Sequence, residues 1–76
     1  MKKALRLCDI APGQDAVVKE LLANGSIRRR FLDIGLIENT CVRCVGRSPG
    51  GDPSAYLIRG AVIAIRAEDS QNILIY

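Results

Sequence analysis

Between Ser26 and Leu36 the apolar residues Ile27, Phe31 and Ile34 recur at i, i+4 and i+7, and Gly35 follows them at once. At about 100° per residue this spacing gathers the three into one narrow stripe, so the segment predicts a short amphipathic helix with a glycine stop. A helix this short is marginal by itself and needs a surface on which to lay its stripe. About fifteen residues later Gly51-Asp52-Pro53 forms a tip that cannot continue a strand ladder, between two apolar segments. Neither piece is catalytic, and together they describe a scaffold that works by binding.

The remaining chain reads as short strands and turns. Leu5-Arg6-Leu7 alternates and ends in a turn at Pro12-Gly13. Residues 16–23 fit strand or helix by periodicity; Val17-Val18 and the flanking turns favour a strand. Asn24-Gly25-Ser26 supplies a break and a side chain to cap the helix, and Glu38-Asn39 a turn in which asparagine accepts positive φ. Residues 40–47 predict a strand with Val42 and Cys44 on a core side, Arg43 and Arg47 on a basic side. Two further strands, 55–59 and 61–66, are split at Gly60 by a tight turn or bend, a single helical turn occupies 67–72, and 73–76 closes the chain as a last strand. The expectation is one mostly β domain over residues 1–76: a small, partly closed barrel with one inserted helix, hiding its edges by pairing first and last strands.

Within the helix, Arg28, Arg29 and Arg30 point in three directions, Arg29 can pair with Asp33 at i, i+4, and Leu32 lies about 140° from Ile27, off the core stripe. Leu32 is therefore a shoulder contact or an exposed apolar residue awaiting a partner.

Composition narrows the function. The 76 residues carry a net charge of +3, a mild bias, and only three aromatics, Phe31, Tyr56 and Tyr76, are available for base stacking, so nucleic-acid binding is not expected. No apolar run approaches the roughly 20 residues that span a bilayer, and Met1-Lys2-Lys3-Ala4-Leu5-Arg6 lacks the apolar stretch of a signal peptide, which places the chain in the cytoplasm. Cys8, Cys41 and Cys44 are odd in number and read as reduced thiols. Cys41 and Cys44 have C-x-x-C spacing, but on a strand residues three apart point to opposite faces, which argues against a shared metal; the chain has no histidine. No acid–base constellation and no phosphate-binding glycine loop stands out, so an enzyme, a cofactor and a metal site are all unexpected.

The amino-terminal strand ending in Pro12-Gly13, the helix from Arg28 to Leu36, the strand opening Thr40-Cys41-Val42, the tip Gly51-Asp52-Pro53, then Arg59 to Arg66 and the turn Glu68-Asp69-Ser70 together resemble the FeoA family over nearly the whole chain. The departures are modest: Glu38-Asn39 stands where the family usually has proline-glycine, and the cysteine pair lies outside the family pattern. The resemblance implies an SH3-like barrel that accompanies a FeoB-type ferrous-iron transporter, docking on its cytosolic GTP-binding portion and reaching the membrane only through it. On that reading Leu32, Leu36 and Ile37 form an apolar anchor, while Arg28, Arg29 and Arg43 steer an acidic partner. The alternatives are an SH3-like regulatory domain related to iron-dependent repressors, against which Met1 and the lack of a winged-helix segment argue, or a small nucleic-acid-binding barrel. Pairing between copies through edge strands is open.

Overall fold

A computed structural model describes residues 5–76; the basic run Met1, Lys2, Lys3 and Ala4 lies outside the described residues. The elements follow in the order β1 (Leu5–Arg6), β2 (Asp15–Leu21), α1 (Gly25–Ile34), β3 (Cys41–Arg47), β4 (Ser54–Ile58), β5 (Ala61–Ile65), α2 (Ala67–Ser70) and β6 (Ile73–Ile75), with a 3-10 turn at Leu7–Asp9. The six strands form one antiparallel sheet in the order β1-β6-β2-β3-β4-β5. The mostly β class read from the sequence is the class observed.

First and last strands do pair, Leu5 opposite Ile75 and Arg6 opposite Leu74, yet this does not hide the edges. β6 is sandwiched between β1 and β2, so the sheet still ends at β1 and at β5, and among the described residues the ladder does not close between them. The curled sheet wraps a core of Val18, Val42, Cys44, Tyr56, Ile58, Ile73 and Ile75, sealed by Leu7 from the 3-10 turn and by Phe31 and Leu36 around α1. Burying one such side chain contributes about 1.5–3 kcal/mol.

Helix α1 lays down its stripe as its spacing predicts: Phe31 is buried and Ile27 and Ile34 pack against the core. Gly35 takes φ +105°, its N–H donates to the Leu32 carbonyl at 3.1 Å, and the Leu36 N–H returns to the Phe31 carbonyl at 2.9 Å. This left-handed stop satisfies carbonyls that the helix would otherwise leave open. The helix start differs from expectation. Asn24 occupies the cap position in extended conformation, but no side chain caps the first turn. The Arg29–Asp33 ion pair is not formed either.

A bulge in β3, between Cys44 and Gly46, changes the expected two-sided strand. Before it the alternation holds, with Val42 opposite Ile58 and Cys44 opposite Tyr56, all buried. After it Arg47 comes opposite Ser54, on the face that Tyr56 shares, so Arg47 does not join Arg43 on an outer basic side. Its guanidinium donates to the Ile10 carbonyl at 2.6 Å from Nη2 and to Ser54 Oγ at 3.0 Å from Nε, bracing the loop after the 3-10 turn against β4. Asn39 takes φ +73° as predicted, and β4 and β5 are joined by the tight turn Arg59-Gly60.

Candidate docking surface

The residues expected to bind a partner do not form one patch. Arg28 and Ile37 line one shallow groove, with Lys19, Glu20 and Glu38 beside them. Leu32 stands one turn from Arg28 on the same side of α1, at i, i+4. It is 41% exposed and Ile37 45%, so both are large apolar side chains held out to solvent. Leu36 is different: it is 0% exposed, a core residue pulled beneath the groove by the fold-back at Gly35, and it cannot anchor anything from outside. Arg29 is exposed on the outer side of α1.

Arg43 lies in another groove, with Asp15, Cys41 and Arg59. Its Nε donates to Asp15 Oδ1 at 2.7 Å, and this hydrogen bond holds the Asp15 carboxyl below its usual range. Both side chains are about half exposed, where water screens such a pair heavily, so it adds little to stability.

The surface around Ile37 includes groups the periodic pattern did not single out. The Lys19 ammonium lies 5.8 Å from the centre of the Tyr76 ring, and the Tyr76 hydroxyl donates to Glu38 Oε2 at 3.4 Å. Tyr76 is exposed, whereas Phe31 and Tyr56 are buried, so among the chain's three aromatics it alone projects into solvent. Three stacked aromatics for single-stranded nucleic acid are not presented. The presence of Glu20 and Glu38 makes this face mixed in charge rather than uniformly basic. The signal for Lys19 and Tyr76 was in their residue types, but their meeting depends on β2 and β6 being neighbours.

The thiols do not converge. Cys44 is buried and Cys41 exposed, on opposite sides of β3, as the strand geometry predicts. Burial, and after it the Asp9 carboxylate, pushes the Cys8 thiol up, which keeps it protonated and weakly nucleophilic. Among the described residues no three Cys, Asp or Glu side chains gather in a metal-binding cluster. No helix among them is long and apolar enough to cross a membrane.

This geometry has close counterparts. The chain is 29% identical over 69 residues to an Fe(2+) transport protein A/Fe(2+) transporter FeoB fusion protein of Porphyromonas gingivalis, a match covering 91% of this chain and 8% of that relative's length. The solution structure of a FeoA protein from Chlorobium tepidum superposes with a TM-score of 0.88 at 25% identity, over 95% of this chain and 69% of that one. A FeoA of Stenotrophomonas maltophilia, solved with zinc and described as a prokaryotic SH3 domain protein, gives 0.86 at 26% identity, over 96% and 91%. The FeoA domain model matches residues 5–76, from the first strand to the last residue. The chain belongs to the FeoA domain family, and its fold is that family's SH3-like fold.

Proposed function

We propose that this chain is a non-enzymatic accessory of ferrous-iron uptake that folds as one domain, resides in the cytoplasm and docks on the cytosolic GTP-binding portion of a FeoB-type transporter. The observation that carries the reading is the Porphyromonas gingivalis relative, in which a domain of this kind and a FeoB transporter share one polypeptide. Covalent linkage raises the effective concentration of two modules to the millimolar range, which is of use only to partners that meet. Iron is then the transporter's cargo, and the FeoA-type chain acts through its surface.

The docking face consists of Leu32 and Ile37 as apolar contacts, with Arg28, Arg29 and Lys19 around them and Tyr76 at its border. Exposed apolar side chains bordered by long cationic ones, with Glu20 and Glu38 between them, form a surface that gains by excluding water once covered. Titration of the chain against the cytosolic portion of its host's transporter, with and without guanine nucleotide and with duplex DNA as control, tests both function and place. Saturable binding that Leu32→Glu weakens about tenfold or more, with the fold intact by circular dichroism, is expected. Binding to DNA alone, falling steeply with salt, would replace this reading with a nucleic-acid one.

A further inference from the structure

The far flank of α1 presents a second feature of different chemistry. Between α1 and the outer edge of β5 lies a groove of about 270 Å3, floored by Phe31, Ile34 and Ile63. Arg30 on α1 and Arg66 just past β5 stand at its rim, with Asp69 of α2 the single carboxylate among its lining. Neither arginine is ion-paired among the described residues, where the one ion pair is Arg43–Asp15. Two cations and one anion leave the groove positive.

The backbone beside it is also unfinished. Arg59 and Gly60 both have positive φ, +49° and +85°, as in a two-residue hairpin turn of the primed type, and Ile58 lies opposite Ala61. In such a hairpin the residues flanking the turn form a hydrogen-bonded pair, and alternation from there turns the N–H and C=O of Ala61, Ile63 and Ile65 toward β4. Those of Val62 and Ala64 face away, and no described strand pairs with that side of β5. A row of free backbone donors and acceptors beside an apolar floor is what strand addition uses.

We propose that β5 receives an extended acidic segment of the partner as an added strand, its backbone pairing with Val62 and Ala64, an aliphatic side chain over Phe31 and Ile34, and carboxylates near Arg30 and Arg66. The inference rests on the docking reading for its partner and adds a contact on the opposite flank of α1. A second copy is a poorer occupant: antiparallel pairing along β5 brings Arg66 of one chain beside the Arg59-Gly60 turn of the other, like charge on like.

The probe is a capped peptide, Glu-Thr-Val-Thr-Glu, whose alternate residues present Glu, Val and Glu to one face, compared with Lys-Thr-Val-Thr-Lys by amide NMR of the full chain. The acidic peptide is expected to shift the Val62 and Ala64 amides saturably and to slow their exchange, with affinity at least fivefold above that of the basic one. The double variant Arg30→Glu with Arg66→Glu should reverse the preference, Asp69→Asn should strengthen acidic binding, and salt should weaken it. Equal shifts from both peptides, shifts confined to other surfaces, or no shifts at millimolar peptide overturn the proposal. So does concentration-dependent loss of the Val62 and Ala64 signals without peptide, which would make the edge a self-interface. If the transporter portion binds the double variant as well as the wild type, the strand-addition contact falls and the docking reading stands. If the acidic peptide binds at β5 while the transporter portion does not bind, the site stands and only its assignment to the transporter falls.

Discussion

The two ends of the sheet are built differently. At β1 the described strand, Leu5–Arg6, leads straight into the 3-10 turn, where Leu7 is fully buried. Arg6 holds that corner: its N–H donates to Asp9 Oδ2 at 2.9 Å, and its Nη1 reaches the Gln71 carbonyl at 2.6 Å. At the other end β5 runs for five residues with Val62 63% exposed and no such cover. A covering turn is one way that proteins blunt an edge. One end of this molecule is spent on stability and the other is left available, which is the division of labour expected of a scaffold that binds.

That contrast can be broken in graded steps. Leu7→Ala, at the closed end, should lower stability by about 2–5 kcal/mol in urea denaturation, while Ile63→Ala, half-buried at the open end, should lower it less. Equal losses would mean that β5 is as structural as β1. Proline substitution along β5 sharpens the point. Ile63→Pro removes an N–H that faces β4 and should cost about 1–3 kcal/mol, whereas Ala64→Pro removes one that faces outward and should leave the urea midpoint nearly unchanged while abolishing peptide-induced shifts.

A pH series probes the link between the ends. The Tyr56 hydroxyl on β4 donates to the Leu7 carbonyl at 3.5 Å, and burial pushes its phenol above the ordinary value of 10.0. Below that value both folded and unfolded chains hold the proton, and the contribution is fully present. Above it the unfolded chain ionises first, so stability falls as pH rises toward the folded value. Tyr56→Phe should flatten this alkaline decline. The smallest effect is expected from Asp15→Asn: its exposed pair with Arg43 should leave the urea midpoint at neutral pH unchanged within error, with any loss in wild type confined to pH below the ordinary Asp value, as the carboxyl protonates.

Local signals made much of this legible. The spacing of Ile27, Phe31 and Ile34 placed α1, Gly35 placed its end, and Asn39 and Gly60 marked turns that the backbone does make. Leu32 fell outside the core stripe and is exposed, and Ile37, grouped with it as an anchor, is exposed as well. Leu36 misled because its burial depends on where the chain goes after Gly35, a matter of tertiary direction rather than period. Arg47 misled because a bulge resets alternation, and only Gly46, a residue that often accompanies bulges, hinted at it. The groove between α1 and β5 had no local signature at all, since Arg30 and Arg66 meet only once thirty-odd residues of intervening sheet have folded.

The brace at Arg47 has a practical corollary for the hairpin tip beyond it. Ser48 donates to the Pro53 carbonyl at 3.0 Å and Asp52 accepts from the Ala67 N–H at 2.9 Å, so both ends of the tip are tethered below its apex. With the roots secured, extra chain at Gly50-Gly51 would meet only the slowly growing entropy of closing a longer loop, about 0.6 kcal/mol per doubling. That apex is a natural port for a genetically encoded label, through which the proposed association with a transporter could be tested in living cells.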